Sequence, residues 1–547
     1  MEKARQIFQT NSRLRWNTFK WTSRLGIFIL ILIIPTVWLA MAFDKKPPLP
    51  GLSTDHFSKL ENPLLTKGFN KKEKRKYQGY ADFLKLKKQN AWFVHERNRN
   101  RSTAVRAAFY VDWDPQAFYS LQNHITELNM VMPEWFFIDP KADTLVSEIS
   151  HDETRDAFEL MKKYPVKILP ILSNVNTTRH DGNFDGALLT RVLTNPVKRE
   201  KLISSIIQQL QQNKLQGVNI DFEEPEENSI DDMHRFQAEL YQRLHALGLL
   251  VTQDIMPEDE DFHLKELSEH NDYMFVMAYD QHYMDSEPGS ISDQKWVEKT
   301  LDEIADEIPS NKIILSIAGY GYDWPDGGLA TTVTYPEAMS TAKEFHSPID
   351  FDNDSYNCHY EYTDYKKINH HVYFMDAAGN FNSVRFADQY GCGGVALWRL
   401  GAEDERIWKF YAHDLTNDSL SKNPFDFSVL SQTDVTTEDP DYGMSEGEIL
   451  DVISEPQKGI INLEIDSAEK LISEENYKQL PTRYVIKRFG KVENQVILTF
   501  DDGPDPEYTP RILDILEKEK VPAAFFVVGM NAEEHLPLLK RIYHDGF

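Results

Sequence analysis

Three polar side chains alternate along residues 217–223, which read GVNIDFE. Successive side chains of a β-strand point to opposite faces, so Asn219, Asp221 and Glu223 are expected to share one face. Two carboxyl groups on one face repel each other when both are ionised, and one of them tends to keep its proton. The spacing therefore predicts acid–base chemistry, with Glu223 last in the run, at the end of the strand where a substrate arrives.

A second acidic group closes another apolar run at residues 499–504, which read TFDDGP. Adjacent side chains at a strand-to-loop edge point in different directions, so Asp501 and Asp502 can serve as a base and as a ligand for a cation. The Gly-Pro pair then turns the chain away. An acidic loop with no metal role is the alternative interpretation.

The region from 104 to 412 supplies the elements that must position the first group. Amphipathic stretches such as 198–212 and 233–247 lie between short apolar runs. Eight such strand-and-helix units in about 300 residues predict an α/β fold of the (β/α)8 TIM-barrel type, with its active site at the carboxyl ends of the strands. The eight runs begin near Arg106, Val131, Val166, Gly217, Leu249, Tyr273, Lys312 and Gly394.

The flanking segments predict a membrane-anchored protein. Residues 1–24 form a basic tail, and 25–43 are 19 residues without a charge, long enough for a transmembrane helix. The positive-inside rule places the N-terminus in the cytoplasm and the body outside it. A cleaved signal peptide is the main alternative, because Ala40-Met41-Ala42 resembles a cleavage site, and a buried core helix is the other.

Further divisions follow from composition. Residues 44–103 are expected to form a basic stalk, 413–490 an acidic linker with a possible small β subdomain, and 491–547 the start of a second α/β domain. Two strands and about two helices cannot close a sheet, so that last domain is expected to be truncated. The predicted order is thus an N-terminal transmembrane helix, a TIM barrel and the truncated start of a second α/β barrel.

The net charge of −28 conceals an uneven distribution. Residues 1–106 carry 22 Lys and Arg against 7 Asp and Glu, whereas the remainder carries 37 against 80. So acidic a body argues against nucleic acid as a partner and suits a neutral or cationic ligand. Cys358 and Cys392 are the two cysteines, which excludes a disulfide framework and leaves one bridge possible in an oxidising compartment.

The 217–223 run resembles the Asp-x-x-Asp-x-Asp-x-Glu signature of glycoside hydrolase family 18, in its chitinase-like, cell-wall glucosaminidase branch. Glu223 matches the catalytic acid and Asp221 its neighbour, while Asn219 and Gln216 replace two acidic positions. Three further segments in chain order support the resemblance: Met277-Ala278-Tyr279-Asp280, residues 319–324 and Trp398.

The resemblance implies retaining, substrate-assisted hydrolysis of N-acetylated polysaccharide, without a cofactor for the barrel. Glu223, Asp221 and Tyr279 would be catalytic. The implied substrates are chitin-like, peptidoglycan or poly-N-acetylglucosamine chains. Residues placed at the substrate are Asn219, Met277, Asp280, Trp398 and Tyr110. The alternative function is a catalytically silent barrel that holds glycan for a second enzyme, and a wholly structural envelope protein is a third possibility.

The TFDDGP hexamer resembles the first motif of NodB-type polysaccharide deacetylases, carbohydrate esterase family 4. Residues 522–529 resemble the next strand of that fold. The resemblance implies that Asp501 is the general base and that Asp502 is a ligand of a divalent metal, which is expected to be zinc. The family's metal-binding histidines belong to a later motif, so the metal site is expected to be incomplete in this chain.

Overall fold

The computed structural model describes residues 104–149, 151–176, 183–226, 229–257, 263–433, 447, 449–490 and 496–547. Two compact units divide the chain, Met1–Lys74 and Arg75–Phe547, and every described residue belongs to the second. The predicted tail, transmembrane helix and stalk, residues 1–103, lie outside the described residues.

The described strands form one large sheet and several small ones. In chain order they are β1 (Val105–Tyr110), β2 (Met130–Pro133), β3 (Phe136–Ile138), β4 (Leu145–Ser147), β5 (Lys167–Ile168), β6 (Ile171–Ser173), β7 (Gly217–Asp221), β8 (Leu250–Ile255), β9 (Tyr273–Met277), β10 (Ile313–Ala318), β11 (Tyr320–Pro325), β12 (Thr331–Thr334), β13 (Asp350–Phe351), β14 (Cys358–Thr363), β15 (Asn369–Phe374), β16 (Gly394–Trp398), β17 (Gln432–Thr433), β18 (Ile449–Ser454), β19 (Gly459–Asp466), β20 (Leu471–Gln479), β21 (Val485–Phe489), β22 (Leu498–Gly503) and β23 (Ala523–Val527).

The helices alternate with these strands through most of the chain. They are α1 (Pro115–His124), α2 (Asp152–Met161), α3 (Gly186–Leu193), α4 (Pro196–Asn213), α5 (Ile230–His245), α6 (Leu264–Glu269), α7 (Gln294–Glu307), α8 (Tyr335–Glu344), α9 (Ala377–Tyr390), α10 (Asn417–Lys422), α11 (Tyr508–Glu519), α12 (Gly529–Glu534) and α13 (Leu536–Asp545). Polar caps fix several helix starts: the side chains of Asp114, Asn195 and Asp293 accept backbone N–H bonds at the first turns of α1, α4 and α7.

Parallel pairing curls the large sheet into an α/β barrel-like form. The ladder runs β6, β7, β8, β9, β10, β16, β1, β2 and β5, with β3 paired to β6. Only Glu134 and Trp135 separate β2 from β3, and only Leu169 and Pro170 separate β5 from β6. The segments β2–β3 and β5–β6 therefore each contribute a strand to both ends of the ladder. The prediction of an α/β barrel-type sheet is confirmed in this form.

Alternation along the strands separates two apolar layers. In β1, Ala107 and Phe109 belong to a cluster inside the curled sheet with Phe275 and Ile314. Ala108, next along the strand, belongs to the larger cluster between sheet and helices. The interior layer leaves room at its carboxyl end for polar side chains, which is where the site lies.

An inserted antiparallel sheet lies between β10 and β16. Its order is β12, β11, β15, β14 and β13. Only Gly319 separates β11 from the barrel strand β10, so the insertion begins at the carboxyl end of that strand. Consequently Tyr320 and Tyr322, on β11, reach the mouth of the barrel.

Two small sheets follow the barrel, within the region predicted as an acidic linker and β subdomain. One contains β17, β19 and β20, and the other β18 and β21. Both pack on the barrel: the Asn382 side chain on α9 exchanges two hydrogen bonds with the backbone of Ile472 on β20, and Ser340 on α8 bonds Ser454 on β18. The predicted linker residues 434–446 lie outside the described residues.

A buried arginine joins the two parts further. The Arg406 guanidinium binds Asp404 at 2.6 Å, Glu475 of β20 at 2.7 Å, and also Asp376 and the Tyr477 hydroxyl. The side chains of Arg406 and its three carboxylate partners are almost wholly excluded from solvent, and Tyr477 is half-buried. Removing charges from water is costly unless they are paired, so this cluster requires both parts at once.

The prediction of a single-pass membrane protein is not supported by the described helices. Within the described ranges, no helix is both long and apolar enough to cross a bilayer. The 18-residue α4 has the length, but four charged residues fall in its first two turns, Lys198, Arg199, Glu200 and Lys201. The predicted span 25–43 is outside those ranges, so the single-pass anchor has no support here. Cys358 and Cys392 are both buried, and no disulfide joins them.

Candidate active site

The carboxyl end of β7 carries the predicted polar series. Val218, Ile220 and Phe222 belong to the helix-facing core, which leaves the alternate residues on the interior face. Asn219 is fully buried, and Asp221 and Glu223 are partly buried at the mouth. The fold thus brings Asn219, Asp221 and Glu223 to one side of the strand.

Neighbouring β6 fixes the backbone of Glu223. The Glu223 N–H donates to Oδ1 of Asn174 at 3.0 Å, and Nδ2 of Asn174 donates to the Glu223 carbonyl oxygen at 2.9 Å. The next residue, Glu224, has φ of 51° and turns the chain away from the strand direction. Because Asn174 is itself fully buried, this pair of bonds holds the carboxyl-bearing residue at a defined place.

The pKa values of the two carboxyl groups are raised. Burial raises the pKa of Glu223 to about 7, with help from the charges of Asp280 and Glu224. Burial also raises the pKa of Asp221, as do the charges of Glu223, Asp254 and Glu134. A carboxyl group with a pKa near 7 can carry a proton at neutral pH and give it to a leaving group.

Asp254 on β8 is a member of this group that the sequence patterns did not identify. Its Oδ2 accepts a hydrogen bond from Nδ2 of Asn219 at 2.5 Å. Thr252, two residues earlier and paired with Asn219 across the strands, donates its hydroxyl to Oδ1 of Asn219 at 2.6 Å. The alternation of Thr252 and Asp254 in the run LLVTQDI is the signal that could have predicted it.

Asp280 follows β9 and is held by the inserted sheet. Its Oδ1 accepts hydrogen bonds from the hydroxyls of Tyr320 and Tyr322, the latter at 3.0 Å. These bonds lower the pKa of Asp280, but burial outweighs them and leaves the pKa above its usual value. Met277 and Tyr279, on the same segment, lie in an aromatic cluster with these tyrosines.

Trp398, at the end of β16, packs against two aromatic rings of the barrel. Its ring lies 6.4 Å from that of Tyr279 at an interplanar angle of 24°, and Phe109 meets it edge-on at 5.1 Å. A cavity of about 270 Å³ opens beside it. Its lining includes Trp113, Asp280, Tyr320, Tyr322, Trp398 and Arg399.

Trp113 is the exposed aromatic side chain of this cavity. Half of its surface, 52%, is accessible, yet its orientation is fixed. The indole N–H donates to Oε2 of Glu134 at 3.0 Å, and the Arg399 guanidinium lies 4.3 Å from the ring centre. Neither Trp113 nor Glu134 was identified from the sequence, since both follow their strands in segments without a periodic pattern.

Tyr110 is not brought together with the other predicted residues. It is 3% exposed and belongs to the helix-facing cluster, with its ring edge-on to Trp135 at 6.3 Å. The preceding residue, Phe109, is the one that faces the interior and touches Trp398. A strand alternates at every residue, so an error of one position exchanges the two faces.

Asp501 and Asp502 lie apart, at the end of β22. Both are exposed, and the backbone carbonyl of Asp502 accepts a hydrogen bond from Nδ2 of Asn531 at 2.9 Å. Among the described residues, three metal-ligating side chains lie close together at Cys358, Asp376 and Glu475, and the carboxylates of Asp376 and Glu475 already contact Arg406. In the described part of the chain, no such group of three metal-ligating side chains includes Asp501 or Asp502.

Comparison with known families divides the chain into two matched regions. Residues 136–403 match glycosyl hydrolases family 18, and residues 490–547 match the polysaccharide deacetylase family. The structure also resembles the crystal structure of the Bacillus cereus spore cortex-lytic enzyme SleL, with a TM-score of 0.52 and 20% identity over 57% of this chain and 74% of that one. At this identity the likeness shows the fold alone.

Sequence relatives cover the two regions separately. The uncharacterised glycosylase YvbX of Bacillus subtilis is 26% identical over 58% of this chain and 93% of its own length. The cortical fragment-lytic enzyme of Bacillus cereus is 24% identical over 46% of this chain and 61% of its own. A chitooligosaccharide deacetylase of Sinorhizobium fredii is 44% identical over 13% of this chain, which spans about a third (32%) of that relative.

Proposed function

From the family 18 glycosyl hydrolase domain that this chain carries, followed by a polysaccharide deacetylase segment, we propose that the barrel hydrolyses β-linked N-acetylglucosamine polymers. The observation that carries the proposal is the partly buried pair of Asp221 and Glu223 at the end of β7, in which burial and neighbouring charges raise the pKa of Glu223 to about 7. Such a group is protonated in a substantial fraction of molecules near neutral pH.

The proposed reaction is retaining and uses the substrate's own acetamido group. Glu223 gives its proton to the glycosidic oxygen while the acetamido oxygen attacks the anomeric carbon, so that the sugar–oxygen bond breaks as a cyclic intermediate forms. Asp221 stabilises the positive charge that develops on the acetamido nitrogen, and the Tyr279 hydroxyl holds the acetamido oxygen. Glu223 then takes a proton from a water molecule as that water attacks the anomeric carbon. This attack opens the cyclic intermediate, and the configuration at the anomeric carbon is retained overall.

The polymer is proposed from the chemistry of the cavity. Trp398 offers an apolar ring face for a sugar, and the carboxyl groups that line the cavity, those of Asp114, Asp280 and Glu337, favour a neutral or cationic chain over an anionic one. The mechanism requires a 2-acetamido sugar, which leaves chitin-like, peptidoglycan and poly-N-acetylglucosamine chains. A cortical fragment-lytic enzyme and a chitooligosaccharide deacetylase are among the relatives, and both are consistent with such polymers.

For residues 490–547 we infer action on the same N-acetyl group, as part of a polysaccharide deacetylase. Asp501 as base and Asp502 as metal ligand remain proposals. The described residues do not complete a metal site there, so hydrolysis by the barrel is the function that we propose to test.

The test measures reducing ends released from chito-oligosaccharides by the whole chain. We expect Glu223→Gln to abolish release, because an amide cannot give a proton to the leaving oxygen. Glu226→Gln, at an exposed position three residues on, is the matched control and should keep the wild-type rate. Equal rates for wild type and Glu223→Gln would refute hydrolysis, and glycan binding without release would favour the alternative of a holding module.

A further inference from the structure

Asn219 interrupts the carboxylate series of β7, and its side chain is held entirely from β8. The Thr252 hydroxyl donates to Oδ1 of Asn219, and Nδ2 of Asn219 donates to Oδ2 of Asp254. Asn219 and Thr252 are fully buried, and Asp254 is 5% exposed. These two bonds determine which amide atom faces which neighbour, and they direct an N–H of Asn219 to a carboxyl group.

Asp254 is a buried carboxyl group in which only one of the two oxygens is hydrogen-bonded among the described residues. Its Oδ2 is occupied by Asn219, whereas Oδ1 has no hydrogen-bond partner among the described residues. A buried acceptor without a partner costs free energy, and more so when it is charged. A proton on Oδ1 removes the charge, so the surroundings of Asp254 favour its protonated form.

The groups that face Asp254 come from both neighbouring strands. Asp221 and Glu223 lie at the end of β7, and Tyr279 follows β9. Burial raises the pKa of Asp254 and the charge of Glu223 raises it further, while the Asn219 bond lowers it. Asp254 in turn raises the pKa values of Asp221 and Tyr279. Each of these charges raises the pKa of a neighbouring carboxyl group, so the three groups titrate together and share their protons.

We propose that Asp254 is a positioning residue for the hydrolysis proposed above: through Asn219 it supplies, from β8, the carboxyl group that β7 lacks at position 219. The middle acidic position of the family signature is thereby filled from the next strand. Asp254 acts through its hydrogen bond with Asn219 and through the proton that it shares with Asp221. The inference rests on the proposed function of the barrel.

An exchange of the two side chains tests the proposal on the whole chain. The variants are Asp254→Asn, Asn219→Asp and the double exchange Asn219→Asp/Asp254→Asn, with chito-oligosaccharide as substrate. Asp254→Asn leaves an amide opposite an amide, and we expect kcat to fall about tenfold to a hundredfold while KM changes little. The double exchange restores one amide and one carboxyl group across the same strands, and it should recover most of the lost kcat.

The pH profile provides a readout that a purely structural role would not move. Asp254→Asn removes a carboxyl group whose charge raises the pKa of Asp221, so the acidic limb of kcat/KM, which reports the ionisation of Asp221, should move to lower pH. Asp231→Asn, on α5 away from the sheet interior, is the matched control, and thermal unfolding of each variant monitors the fold.

The outcomes separate this inference from the function on which it rests. Wild-type kcat and pH profile in Asp254→Asn, with Glu223→Gln inactive, would overturn the role of Asp254 and leave hydrolysis standing. Loss of activity that parallels loss of thermal stability, with no recovery in the double exchange, would also overturn it. Wild-type activity in Glu223→Gln would instead refute the proposed function.

Discussion

The hydroxyl of Tyr322 donates a hydrogen bond to Oδ1 of Asp280 at 3.0 Å and so connects the inserted antiparallel sheet to the segment that follows β9. Tyr320 of the same strand makes a second bond to the same oxygen. The charge of Asp280 is, after burial, the leading cause of the raised pKa of Glu223. The inserted sheet therefore influences the pKa of Glu223, the proposed acid, indirectly through Asp280.

Tyr322→Phe is expected to move the activity profile of the barrel. Loss of the hydroxyl removes a bond that lowers the pKa of Asp280, so Asp280 becomes protonated more readily and repels the Glu223 carboxylate less. The pKa of Glu223 then falls, and the alkaline limb of kcat/KM moves to lower pH by roughly half a unit to one unit. Tyr365→Phe, at an exposed hydroxyl of the same inserted sheet region, is the control, and a shift to higher pH would contradict the coupling.

The wild-type pH profile should show the same acid directly. Hydrolysis requires protonated Glu223, so kcat/KM should be highest at mildly acidic pH and lose half its value near the pKa of about 7. Initial rates of reducing-end release between pH 4 and pH 9 would measure the limb. A half-maximal point below about pH 5, close to that of an ordinary glutamate, would show that burial does not tune Glu223.

Arg406→Leu should destabilise the protein strongly. The substitution leaves Asp404 and Asp376 buried without their cation, and Glu475 loses its 2.7 Å bond. Breaking a buried pair by removing one partner typically costs about 3–5 kcal/mol. Urea unfolding would measure the loss, with Arg511→Leu as the control, because its exposed pair with Glu507 on α11 contributes at most about 1 kcal/mol. Equal losses in the two variants would contradict the assigned importance of the buried cluster.

Short-range periodicity predicted the parts of the site that lie on one strand. The alternation in 217–223 correctly places Asn219, Asp221 and Glu223 on the interior face, and the amphipathic stretch 198–212 falls inside α4. The second stretch, 233–247, is displaced by two or three residues from α5, because helix boundaries depend on capping more than on periodicity.

Contacts between side chains on different strands cannot be predicted from short-range periodicity. Asp254 meets Asn219 across 35 positions of sequence, and only the β7–β8 register brings them together. Tyr110 was placed on the wrong side of its strand for the same reason, since nothing within RAAFYV says which of two neighbouring aromatic residues faces the interior. Glu134 and Trp113 likewise become recognisable only when the loops after β1 and β2 lie side by side.

The buried contacts of Arg406 also bear on where the barrel can be cut for expression. A gene fragment ending at residue 412, the boundary that composition suggests, would retain Arg406, Asp404 and Asp376 while discarding the Leu430 carbonyl, Glu475 and Tyr477. It would also expose the face of α9 that Ile472 covers. A recombinant glycosidase domain should therefore extend through β21, to residue 489, because the small sheets are an integral part of the barrel's core and not a detachable spacer.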